Sequence, residues 1–144
     1  MDLIVNDIEN IVLLNKIGIY ESLFAQCNSM LVTNVRCNDF STFYNKEIDS
    51  LLMKGLEKVD VDFDFFEYAE IHKHFFKGLW IGDISSIYLS TQNKATIISS
   101  NKILMQYAKK LNIRAVETGV FLNKIIEDRN AIEVFNNAKK HLGL

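Results

Sequence analysis

Four short apolar runs constrain this chain more than anything else in it: Leu3-Ile4-Val5, Met30-Leu31-Val32-Thr33, Ala95-Thr96-Ile97-Ile98 and Ile113-Arg114-Ala115-Val116. Runs this brief, apolar without alternation, fit strands buried on both faces. Parallel strands need a crossover between them, usually a helix. The intervening sequence supplies one each time. Ile8, Ile11, Val12 and Leu14 recur at helical spacing up to Gly18, a helix stop. Helical spacing also predicts helices over 20–26, 50–58, 67–76, 80–90, 100–111, 118–126 and 131–141. It predicts another from Val35 to about Lys46, with Phe40 and Phe43 on its inner face. Between them, Val59, Val61, Phe63 and Phe65 alternate with Asp60, Asp62 and Asp64, the period of a half-exposed strand. The expected fold class is α/β: a three-layer α/β/α sandwich around a central, mainly parallel sheet, Rossmann-like, forming a single domain over residues 1–144.

Composition removes other classes. The 144 residues are 49% apolar and 24% charged, ordinary for a globular chain and against disorder. Proline is absent and only six glycines occur, which excludes collagen-like sequence and Pro-rich linkers. No apolar run approaches the roughly 20 residues of a membrane span. Asp7 and Glu9 interrupt the start, against a secretory signal. Cys27 and Cys37 make neither a disulfide framework nor a zinc set, so buried inert thiols in a reduced, cytoplasmic setting are expected. The net charge of −2 argues against a basic nucleic-acid-coating protein. It is unevenly spread, however. Residues 1–100 carry 14 acidic and 8 basic groups, and residues 101–144 carry 4 acidic and 8 basic groups.

In parallel sheets ligands bind beyond the carboxyl ends of the strands, at the switch point. The residues there are Asp7, the stretch Asn34–Asp39, and Ser99-Ser100-Asn101, with Asp83 opening the helix that feeds the fourth strand. Taken singly, Asp7 and Asp83 read as helix N-caps. Carboxylates converging on one sheet edge repel one another unless a cation neutralises them. Other signals fail. Asp60-Val-Asp62-Phe-Asp64 has the first spacing of a calcium loop, but Phe65 stands where Gly is required and Ile71 where Glu is required. His72 and His74 are two apart on a helix and point away from each other. No glycine-rich phosphate loop or nucleophile elbow occurs. Phe63, Phe65, Phe66, Phe75, Phe76 and Trp80 read as core or a self-association surface.

The stretch from Leu3 through Asp7 to Gly18 resembles the opening of PIN-domain nucleases, in which an apolar strand ends in Asp before an apolar helix. Leu79-Trp-Ile-Gly-Asp83-Ile-Ser-Ser-Ile-Tyr-Leu-Ser90 resembles their third acidic segment. The stretch from Ala95 through Asn101 to Ile113 resembles the strand, Thr-x-Asp turn and helix that follow, and Thr118-Gly119 the turn after the last strand. The resemblance spans about Leu3 to Ile126. It implies a metal-dependent ribonuclease hydrolysing RNA phosphodiesters. Asp7, Asp83 and Asp39 would hold Mg²⁺ or Mn²⁺, and Asn101 and Ser99 would orient water or a phosphate oxygen. Lys102, Lys109 and Lys110 would lie along the RNA backbone. In size and pattern it resembles VapC-type toxins, which implies a homodimer and a small antitoxin partner. The chain also departs from the pattern. Asn101 stands where Asp is usual, Glu9 where a small polar residue is usual, as an accessory carboxylate or a solvent-facing one, and the second acidic position falls on Asp39 or one residue earlier, on Asn38. Those departures motivate a second reading, a catalytically degenerate PIN-like domain that binds protein or RNA. A third is an unrelated phosphate-binding or receiver-like α/β domain.

Overall fold

A computed structural model describes residues 1–143, with side chains for 1–39 and 43–143. The elements run β1 (Asp2–Val5), α1 (Ile8–Lys16), α2 (Tyr20–Ala25), β2 (Ser29–Thr33), α3 (Asn34–Met53) and β3 (Glu57–Val59). They continue with α4 (Phe63–His72), α5 (Ile81–Asn93), β4 (Thr96–Ser99), α6 (Lys102–Lys110), β5 (Ala115–Glu117), α7 (Thr118–Ile125) and α8 (Arg129–Leu142). The strands form one sheet in the order β3-β2-β1-β4-β5, and every pairing is parallel. Leu3 lies opposite both Met30 of β2 and Thr96 of β4, which makes β1 the central strand.

The side-chain period of two sends alternate residues of each strand into separate cores. Leu3, Val5, Met30, Val32 and Ile98 pack with Ile8, Ile11 and Leu14 of α1, Phe121 of α7 and Phe135 of α8. Ile4, Leu31 and Ile97 pack with Phe65 of α4, Ile84 and Ile87 of α5, and Leu104 of α6. Each fully buried side chain of this kind contributes roughly 1.5–3 kcal/mol. The apolar, non-alternating runs are therefore what a sheet with helices on both faces demands, and the three-layer expectation holds.

The third strand differs from its expected place. The helices expected over 35–46 and 50–58 are one element, α3, interrupted by non-helical geometry at Tyr44 (φ −128°, ψ 25°). That break resets the helical phase: Ile48 and Leu51 are buried, whereas Phe43, expected on the inner face, is 78% exposed. Phe40 lies outside the described side chains. The helix does not reach residue 58. Gly55, at φ +111°, reverses the chain where the Phe24 ring leaves no room for a Cβ. Glu57–Val59 then pairs with Leu31, Val32 and Thr33. The alternating segment 60–65, expected as a strand, instead opens α4. The Asp62 carboxylate accepts the Phe65 N–H at 3.3 Å, capping that helix. Phe65 enters the core while Phe63 is 91% exposed. The aromatic cluster divides accordingly: Phe65 and Phe76 are core, and Phe63, Phe66, Phe75 and Trp80 are exposed. Cys27 and Cys37 are unpaired, and burial raises both thiols above their ordinary pKa. Among the described residues no helix is long and apolar enough to cross a membrane.

The chain leaves β1 for β2 and β3 on one side, then returns to place β4 and β5 on the other. The connections after β1 and β4 therefore diverge, opening a crevice at their carboxyl ends.

Candidate functional site

Asp7 stands at the N-cap position of α1, but its side chain makes no capping bond to the helix backbone. Its carboxylate turns across the crevice. Oδ1 accepts from Ser99 Oγ at 2.9 Å and from Asn6 Nδ2 at 3.2 Å. Oδ2 accepts from Asn10 Nδ2 at 3.2 Å and from the Ser100 backbone N–H. Asp7 thus ties the end of β1 to the end of β4.

Asp83, in the first turn of α5, is almost fully buried. Its Oδ2 accepts the Trp80 N–H at 3.0 Å, closing the start of that helix. Its Oδ1 accepts from Asn6 Nδ2 at 2.9 Å and from Arg36 Nη1 at 3.1 Å. Asn6 links the two carboxylates, and its Oδ1 accepts from Ser86 Oγ at 2.8 Å.

Arg36 supplies the positive charge. Thr33, at the end of β2, caps α3 by accepting the Arg36 N–H at 3.0 Å, which fixes the first turn of the helix. The Arg36 side chain is only 8% exposed and lies between Asp83 and Asp39, with Nη2 3.0 Å from Asp39 Oδ2. Gly82 makes this possible, because a Cβ there would collide with the guanidinium and with the Asp39 carboxylate. The Asp39 carboxylate reaches this cluster. It does so on the far side of Arg36 and is not part of the pocket wall.

The pocket has a volume of about 300 Å³. Asp7, Asp83 and Arg36 form its floor, and Glu9, Asn10, Ser100 and Asn101 line it with Trp80 and Lys139. Asn101 caps α6, its Oδ1 accepting the N–H groups of Ile103 and Leu104 at 3.0 and 3.1 Å. Ser99 Oγ donates to Asp7 and accepts the Asn101 N–H at 3.0 Å. Both expected accessory groups are thus engaged in building the crevice. Glu9 Oε2 and Asn10 Oδ1 are buried without a hydrogen-bond partner. Burial holds the Glu9 carboxyl above its ordinary range, and the neighbouring Asp7 pushes the same way while Arg36 opposes it.

Lys102 follows Asn101 at the start of α6. Lys109 and Lys110 occupy its last turn, about 10 Å further along. Lys109 lines a separate groove with Arg114. The lysine at the pocket is instead Lys139, from α8, which also lies 5.6 Å from the Phe135 ring. Asn6, Asn10, Arg36 and Lys139 are the site residues that sequence reasoning missed. Arg36 had a local signal, its i, i+3 spacing to Asp39. Lys139, distant in sequence from every motif, had none.

These residues do not fit a divalent cation as they stand. Mg²⁺ requires near-octahedral oxygen ligands at about 2.0–2.1 Å. Among the described residues no three of His, Cys, Asp or Glu are grouped to hold a metal. Both oxygens of Asp83 and both of Asp7 already accept hydrogen bonds, and the guanidinium occupies the space between Asp83 and Asp39.

No protein-family model and no curated protein matches the chain. Among solved structures it is similar to a PilT N-terminus domain protein from the hyperthermophilic archaeon Sulfolobus solfataricus P2. The TM-score is 0.59 at 16% identity, over 90% of this chain and 97% of that one. The chain has the PIN-domain fold.

Proposed function

We propose that this protein is a PIN-fold domain that binds single-stranded RNA without metal-dependent cleavage. The observation that carries this reading is the Arg36 guanidinium held between Asp83 and Asp39, a built-in counter-charge where a cation would otherwise sit. The pocket's remaining groups suit an unstacked base. Trp80 is 78% exposed at its wall, a surface on which a base can stack. Glu9 and Asn10 line the pocket with side chains that can accept hydrogen bonds from the amino groups of a base. Lys139 lines the pocket and offers a charge to a phosphate flanking that base.

Trp80 is the chain's single tryptophan, so its fluorescence reports on the pocket directly. Single-stranded RNA is expected to quench that fluorescence, and Trp80→Ala to weaken RNA binding by about 1–3 kcal/mol in an anisotropy titration. RNA incubated with Mg²⁺ or Mn²⁺ is expected to stay intact. Cation-dependent cleavage that Asp7→Asn and Asp83→Asn abolish would make the protein a nuclease. An unquenched Trp80, with no RNA binding, would end the RNA reading.

A further inference from the structure

We propose that the β5 edge of the sheet is a docking site for an acidic, extended segment of a partner protein, which adds to the sheet as a further strand. β5 is an outermost strand. The Ile97 N–H donates to the Arg114 carbonyl at 3.0 Å, and Ile97 pairs with Ala115. Peptide groups alternate in direction along a parallel strand, so those of Ala115 face away from β4. Neither its N–H nor its carbonyl meets a backbone partner on that outer side among the described residues. A groove of about 500 Å³ lies beside it, lined from α6 and from the turn into β5. Met105, Ala108, Ile113 and Ala115, all buried or half-buried, give it an apolar lining, and the exposed Lys109 and Arg114 add two cations.

Charge decides what this edge accepts. From Ile84 to Val116 the chain carries no Asp or Glu and five basic residues, Lys94, Lys102, Lys109, Lys110 and Arg114. Among the described residues none of the five forms an ion pair. The next acidic residue, Glu117, is turned to the start of α7, where it accepts the Val120 N–H at 2.9 Å. An open strand edge is a template for any extended chain, and charges beside it exclude the wrong ones. Here the cations repel a basic strand and attract one carrying Asp or Glu. Main-chain hydrogen bonds supply affinity, and the apolar lining receives the side chains between the acidic ones. Nucleic acid uses less of this surface. It forms no strand ladder, and the nearby Tyr107 ring is packed against Phe75 and Phe76. A second copy joined edge to edge brings the same Lys109 and Arg114 to face their counterparts, which like-charge repulsion opposes.

The test titrates the full chain, by fluorescence anisotropy, into a labelled pool of hexapeptides that alternate Asp or Glu with Val, Ile or Leu. The native chain is expected to bind them, and to bind the same peptides with Lys in place of the acidic residues at least about ten-fold more weakly. Methylating the peptide backbone nitrogens removes the ladder donors and leaves the charge unchanged, and is expected to weaken binding by at least about ten-fold. Binding is also expected to slow hydrogen exchange at the Ala115 N–H. Arg114→Glu, checked for folding by circular dichroism, is expected to weaken the acidic peptides by at least about ten-fold. If that variant fails to fold, the comparison of methylated with unmethylated peptides on the native chain decides. Absence of binding by the acidic peptides, or equal binding of the methylated ones, overturns the proposal. A uridine oligonucleotide whose binding depends as strongly on Arg114 would make this a nucleic-acid surface, and self-association lost in Arg114→Glu would make it an interface between copies. Either result overturns the proposal too.

Discussion

On the β1–β4 side of the pocket, Asp7 is held by Ser99 Oγ, the Ser100 N–H and the amides of Asn6 and Asn10, all neutral donors. On the α3–α5 side, Asp83 shares Arg36 with Asp39. Both carboxylates are satisfied, by different physics. Neutral dipoles stabilise a carboxylate where it stands but leave its charge in place. A guanidinium brings a counter-charge, here one shared between two carboxylates. The consequence appears at Glu9, whose carboxyl is pushed up by burial and by Asp7, with Arg36 pulling only part of the way back. Asp83 has a cation in contact with it, whereas the donors that hold Asp7 are neutral.

The largest effect should come from breaking the half that holds the guanidinium. Arg36→Met leaves Asp83 buried with no counter-charge, and removing one partner of a buried pair costs about 3–5 kcal/mol. The measurement is chemical denaturation in chelator. The double variant with Asp83→Asn is expected to recover part of that loss, because the stranded charge goes with it. A loss below about 1 kcal/mol would place the Arg36–Asp83 pair in the class of exposed, screened ion pairs.

How far this contrast was legible in the sequence depends on the side. Asp7 and Ser99-Ser100-Asn101 follow fully apolar strands, so the β1–β4 half could be located from pattern alone. Asp83 was legible as the acidic residue at a helix start. The α3–α5 half was harder, for two reasons. Arg36 sits in the first turn of a helix among polar neighbours, and nothing local distinguishes a buried arginine from a solvated one. Its burial follows from Gly82, whose partner segment lies some 46 residues away. The strand beside it, Glu57–Val59, is short and largely exposed because it edges the sheet, so it carries no apolar signature. Helical phase failed for a similar reason. The break at Tyr44 is a backbone event, and it sent Phe43 outward without any glycine or proline to announce it.

The half held by neutral donors should break more gently. Asp7→Asn keeps the shape of the side chain but replaces charge-assisted hydrogen bonds from Ser99, Ser100 and Asn10 with ordinary ones. It also turns an Nδ2 donor toward groups that are themselves donors. The expected loss is about 1–2 kcal/mol in denaturant, well below that of Arg36→Met. Equal losses from the two variants would erase the contrast between the two halves, since Asp7 would then be as dependent on net charge as Asp83.

The smallest effect separates the halves by pH. In the folded chain the Glu9 carboxyl lies above its ordinary 4.5, so the native state holds that proton more tightly than the unfolded chain does. Glu9 therefore contributes its stability in full below the unfolded value and loses it as the pH rises through the raised folded value. Glu9→Gln mimics the protonated group at every pH. The variant is expected to melt above the native chain at pH 7 and to converge with it as the pH falls below the ordinary carboxylate range. Asp7→Asn should shrink the difference at pH 7, because part of the push on Glu9 comes from Asp7. If Glu9→Gln melts with the native chain at both pH values, no uncompensated charge remains on that side of the pocket, and the proposed attraction for the donor groups of a base loses its electrostatic basis.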